Sequence, residues 1–143
     1  MIAKSFFEEE EQKLIVRAIK KAEEQTSGEI RVHLAGFCFG DELKAAQKIF
    51  SKLKMHETRE RNGILIYIAP LNRKIAVIGD VGIHEKLGNE FWNGLVKEVI
   101  RKLQANRRAE AIAQCVEECG RQLAHFFPRS AGDKNELSNN ISF

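Results

Sequence analysis

Ile64 to Ala69 is an unbroken apolar run, Ile-Leu-Ile-Tyr-Ile-Ala, set between Asn62-Gly63 and Pro70. A strand with one wet face alternates apolar and polar side chains, so a run without alternation reads as a central strand covered on both faces. It falls far short of the ~20 residues that cross a bilayer as a helix. The rest of the chain must therefore supply a layer of structure on each side of this strand.

Those layers are legible on either side of the run. Ser5 followed by Glu8 has capping-box spacing, and Leu14, Ile15, Ala18, Ile19 and Ala22 recur with helical period. This predicts a helix from about Phe6 to Gln25, stopped at Ser27-Gly28. Ile30, Val32 and Leu34 alternate with Arg31 and His33, the pattern of a half-buried strand. Asp41 is the expected N-cap of a second helix with Leu43, Ala46, Phe50 and Leu53 on one face. After the central run, the turn at Leu71-Asn72 leads to a third strand, Lys74 to Ile78, and so short a link favours an antiparallel hairpin. Helices follow from about Asn89 to Leu103 and from about Arg107 to Phe127, the second ended by Pro128. The order helix-strand-helix-strand-strand-helix-helix predicts an α/β fold, a three-layer α/β/α sandwich with a mixed sheet. One domain over 1–128 is expected, with a polar tail over 129–143 that is either frayed or folded back to donate side chains.

Composition narrows the function classes. Lys and Arg number 23 against 20 for Asp and Glu, and a net charge of +3 is too small for an electrostatic footprint on nucleic acid. The most basic stretch, Lys52 to Arg61, is interrupted by two glutamates and reads as a solvated helix end and loop. The acidic start, with no basic-then-apolar leader, implies no export, and no segment is apolar enough for membrane insertion. Three cysteines, an odd count, argue against a disulfide framework and for a reducing, cytoplasmic setting.

Four segments stand out together: Thr26-Ser27-Gly28-Glu29-Ile30-Arg31-Val32, Arg61-Asn62-Gly63-Ile64-Leu65-Ile66-Tyr67, Gly79-Asp80-Val81-Gly82-Ile83-His84-Glu85-Lys86, and Gly132-Asp133-Lys134-Asn135-Glu136-Leu137. In this order they resemble the TPM domain family, from about Phe6 to Leu137. The resemblance implies an α/β/α sandwich, in agreement with the layers read from periodicity. It also implies a link to acid phosphatase activity, reported for thylakoid-lumen members, while many bacterial members have no known role. Many members carry a signal peptide and membrane helices, which this sequence lacks. The family's tail continues with proline and acidic residues, where Ser138, Asn139 and Asn140 stand here.

Asp80, between two glycines at a strand end, is the first candidate site residue, because open α/β sheets hold ligands at such loops. As a turn cap before His84 it would need no ligand. Asp133, Asn135 and Glu136 offer the oxygen donors that a hard cation such as calcium or magnesium prefers, though without the spacing of a calcium hand. Asp41 joins them as a candidate if it shares Asp80's end of the sheet; otherwise it is an N-cap. His84 reads as an acid-base candidate or a helix-start histidine, and Phe91-Trp92 as a pocket wall or core. Cys115 and Arg121 match the bare spacing of a cysteine phosphatase, but inside a helical pattern and beside Glu117 and Glu118, which would repel the anion. The cysteines therefore read as small core hydrophobes. The resulting expectation is a module that binds a divalent cation through Asp80, Asp133, Glu136 and Asp41, or binds a protein partner. The alternative is a metal-assisted phosphomonoester hydrolase.

Overall fold

The computed structural model describes residues 6–130 and 136–143. The apolar run is the middle strand: β2, Gly63–Ala69, is buried at every position and paired on both sides. β1, Glu29–Leu34, runs parallel to it, with Val32 opposite Ile66. β3, Lys74–Gly79, runs antiparallel, with Val77 opposite Ile66. The parallel pair needs a crossover, which α2, Glu42–Lys52, provides; the antiparallel pair needs only the 3-10 turn at Pro70–Asn72.

The other helices are α1 (Glu9–Glu23), α3 (Val81–Gln104) and α4 (Arg108–Phe126). Side chains alternate across the sheet, so β2 feeds two cores. Ile64, Ile66 and Ile68 join Ile30, Val32, Ile75 and Val77 under α1, α3 and α4. Leu65, Tyr67 and Ala69 join Ala76 under α2, against Ala46 and Phe50. The result is the three-layer α/β/α sandwich with a mixed three-stranded sheet, in the expected element order.

Three expectations need correction. The first helix starts at Glu9, not near Phe6, because Glu8 and Glu11 form the capping box; Ser5 lies outside the described residues. The third helix starts at Val81, not Asn89. Asp80 caps it, and Gly88, at φ 76° and ψ 170°, interrupts it, which is why the apolar period restarts at Asn89.

The third correction is that β1 is not half-buried. His33 is 7% exposed and stacks on Tyr67 at 5.8 Å between ring centroids. Its cover comes from the tail: Leu34 N donates to Ser142 O (2.7 Å), Ser142 N donates to Val32 O (2.8 Å), and His33 Nδ1 meets Ser142 Oγ at 2.9 Å. The described part of the tail is thus folded back, along the outer edge of β1. β1 and β2 stand between it and β3, which leads into Asp80.

Candidate functional site

Asp80 sits where β3 turns into α3. Its Oδ1 accepts from Val81 N (2.8 Å) and Arg61 Nη2 (2.8 Å), and its Oδ2 accepts from Arg61 Nε (2.6 Å). The carboxylate is therefore both a helix cap and one half of a bidentate ion pair. The pair also holds the Arg61 guanidinium more firmly protonated than usual, the hydrogen bond to Asp80 being the main cause. Gly82 makes the arrangement possible: a Cβ there would lie 2.3 Å from Glu60 O and 2.6 Å from Arg61 O, so only glycine lets the helix start approach this loop. A divalent cation at Asp80 would have to share the carboxylate with a guanidinium already bound in fork geometry. His84 is engaged as well, its Nδ1 accepting from Trp92 Nε1 at 2.9 Å.

Asp41 lies elsewhere. Its side chain accepts from Lys44 N (3.1 Å), a plain N-cap, and α2 begins beside Lys74, which pairs with Glu42 at 3.4 Å. Lys74 opens β3, whereas Asp80 follows its last residue, so the two aspartates stand at opposite ends of the sheet, about 20 Å apart at the rise of a strand. The expected common edge is not formed.

A different set of carboxylates converges at Asp80's end, around the start of β1. Glu29 is 1% exposed and Glu23, at the end of α1, is 5% exposed. Glu23 Oε2 accepts from Ile30 N (2.8 Å), closing part of the outer edge of β1. Glu29 Oε1 accepts from the tail, at Leu137 N. The second oxygens, Glu23 Oε1 and Glu29 Oε2, are buried without a hydrogen-bond partner. Burial first, and then repulsion from Glu29, pushes the Glu23 carboxyl up to about 7, against the Ile30 amide and the nearby Arg129 and Arg31 cations, which favour its charged form. Burial likewise raises Glu29 to about 7, opposed by the Leu137 amide and reinforced by the neighbouring Glu136 carboxylate.

Of the residues expected at a cation site, Glu136 is therefore beside Glu29 rather than Asp80, and Asp133 lies outside the described residues. Among the described residues, no three His, Cys, Asp or Glu side chains form a group able to hold a metal ion. Glu23 and Glu29 each keep one buried carboxylate oxygen without a hydrogen-bond partner, and Glu136 lies beside Glu29. Sequence reasoning passed over Glu23, Glu29 and Arg61. Glu29 was in plain view in the Thr26 to Val32 segment, but its alternation with Arg31 and His33 placed it on a face taken to be wet. Glu23 has no local signal, since charged residues at a helix end are ordinary.

The cysteines are core residues as expected. Cys38, Cys115 and Cys119 are free and buried, and the hydrogen bond with Cys115, followed by burial, holds the Cys119 thiol well above its usual range.

Three strands in mixed order, one face under three helices, the other under one, and a returning tail along the edge of β1 define a class of α/β/α domain with a charged sheet end. The chain belongs to the TPM domain family, whose family model matches residues 3–122. It is also similar to the BA42 protein from the psychrophilic bacterium Bizionia argentinensis, solved by NMR. The two are 36% identical, with a TM-score of 0.88 over 96% of this chain and 94% of that one. No curated protein matches the chain. Among the described residues, no helix is long and apolar enough to cross a membrane.

Proposed function

We propose that this TPM domain is a divalent-cation-binding module, with calcium or magnesium held at the Glu23–Glu29 end of the sheet and the tail as its cover. The observation that carries the reading is Glu29: nearly fully buried, with one oxygen held by the tail amide of Leu137 and the other without a partner. Burying a carboxylate this way is costly unless a counter-charge arrives, and two such groups side by side double the incentive. Glu136, beside Glu29, is the third donor. Asp80 is left out because Arg61 already neutralises it.

A bound cation would supply the counter-charge that Glu29 lacks, add to that of Arg129 and Arg31 at Glu23, and fasten the tail that already lies along β1. Because the ion competes with protons on carboxyls that titrate near 7, its affinity rises with pH through that value and fades toward acid. Titration calorimetry near pH 8 should give a Kd on the order of 10⁻⁴ M, the range of calcium modules with few charges. Glu29→Gln, which keeps the acceptor for Leu137 N, should abolish the heat, and Asp80→Asn should leave it. No heat and no thermal shift at millimolar calcium or magnesium would end this reading. Hydrolysis of a chromogenic phosphomonoester that requires the cation and Glu29 would replace it with the hydrolase.

A further inference from the structure

The opposite end of the sheet presents a feature that cation binding does not use. Eight large apolar side chains are exposed among the described residues, and five of them are carried by segments at this end: Phe37 (45%), Phe39 (86%), Leu43 (50%), Leu71 (55%) and Phe143 (38%). They reach this end by four routes. Phe37 and Phe39 lie on the loop after β1, Leu43 in the first turn of α2, and Leu71 in the β2–β3 turn. Phe143 follows Ser142, which pairs with Leu34 at the end of β1.

The loop is held in this pose rather than loosely draped. Asn72 Oδ1 accepts from Cys38 N (3.1 Å) and Asn72 Nδ2 donates to Cys38 O (2.6 Å), fastening the loop to the hairpin turn. Cys38 points inward and is 2% exposed. Cys38 is thus held inward while Phe37 and Phe39, on either side of it, are exposed. The two rings lie together, 4.7 Å between centroids. Clustered, exposed apolar side chains on a fixed loop mark a contact surface rather than a packing accident.

Charge selects the occupant. Lys44 and Lys48 are exposed on α2 and Arg73 is exposed in the hairpin turn; none has an ion-pair partner among the described residues. Of the acids nearby, Glu42 pairs with Lys74, and Asp41, the cap of α2, offsets one charge and leaves the cations in excess. The surface is thus apolar at its tip and cationic at its rim. An anionic bilayer meets both demands. Rings at a loop tip bury in the zone between headgroups and acyl chains while lysine and arginine reach the phosphates.

We propose that this pole of the domain docks on an anionic membrane surface, with Phe37 and Phe39 inserted and Lys44, Lys48 and Arg73 at the headgroups. The contact is peripheral and requires no spanning helix. It is independent of the cation site, and the test separates them by including EDTA throughout. The protein is sedimented with vesicles of phosphatidylglycerol mixed with phosphatidylcholine, and with phosphatidylcholine alone. Binding is expected to the mixed vesicles, much weaker binding to the neutral ones, and loss at about 1 M salt, where screening acts within ~3 Å. The double variant F37S/F39S should bind about tenfold less or worse, from the apolar area removed, and K44E/R73E should lose the preference for the anionic lipid. Both change exposed side chains, so unchanged thermal melting certifies the fold. Failure of the mixed vesicles to sediment the protein, or binding that F37S/F39S leaves intact, would overturn the proposal. So would a concentration-dependent dimer in sedimentation equilibrium that F37S/F39S abolishes, since a second copy would then be the occupant.

Discussion

The two ends of the sheet invert the usual partition of side chains in opposite ways. At the start of β1 the domain buries carboxylates: Glu23 and Glu29 each keep an oxygen without a partner, and Asp80 is buried within its pair with Arg61. At the end of β1 it exposes rings: Phe39 is 86% accessible, fixed there by an amide clamp. Neither the buried carboxylates nor the exposed rings belong to the two apolar cores. Buried unpaired charge and exposed clustered apolar surface both cost stability or solubility, so their survival at the ends points to what binds there.

The harshest way to break the comparison is to remove the sheet that separates the two ends. Ile66 is fully buried at the centre of β2, so Ile66→Glu should cost more than about 4 kcal/mol, enough to abolish a cooperative thermal transition. A variant with an unchanged midpoint would refute the interior strand. Next in size is Asp80→Ala, which strips α3 of its cap and leaves the half-exposed Arg61 without its partner. A loss of about 1–3 kcal/mol is expected in denaturant unfolding, with the calcium response intact.

Glu29→Gln sharpens the contrast because its sign is opposite. Folded Glu23 and Glu29 hold their protons up to about 7, while an unfolded glutamate releases its own near 4.5. Between those values the folded state binds more protons, so their contribution is fully present below 4.5 and is lost as pH rises to 7. His33, lowered to about 4 by burial and the nearby Lys52, works in the other direction, losing stability as pH falls from 6.5. The two glutamates outweigh one histidine, so the metal-free protein should weaken between about pH 5 and pH 7, by on the order of 1–3 kcal/mol in urea unfolding. Glu29→Gln should flatten that slope and raise the melting temperature near pH 8. A variant that melts lower there would mean that Glu29 is satisfied when charged. The smallest effect belongs to the other end: Phe39→Ser should change stability by less than about 0.5 kcal/mol, since the ring covers little of the core. A larger loss in urea unfolding would show that the ring packs, and so dissolve the contrast.

The fold was legible because its strongest signal is also its centre. An unalternating Ile64 to Ala69 demands two covered faces, and the helical periods on each side supply them. The sites were less legible, for reasons visible in single residues. Glu29, Arg31 and His33 alternate like a wet face, and only the tail, 108 residues away at the Leu137–Glu29 hydrogen bond, turns it into a buried one. Asp80 between glycines looks like an open ligand loop until Arg61, whose backbone sits at φ 52°, swings in to occupy it. Phe37 and Phe39 drew no notice because nothing in Phe-Cys-Phe says that Cys38 is the inward residue; that depends on Asn72 across the turn. Local patterns specify elements, whereas these sites depend on contacts between segments far apart in the chain.

The closure of β1 also governs how this sheet behaves in a crowded solution. An unpaired edge strand is a template for another chain. Here the outer edge of β1 is spoken for by Glu23 at Ile30 and by Ser142 at Val32 and Leu34, while the outer edge of β3 runs along a groove between α2 and α3. Removing residues 136–143 would free the Val32 carbonyl and the Leu34 amide and uncover an apolar strand to neighbours. A segment that looks dispensable by composition is what keeps the β1 edge of one copy from pairing with the next.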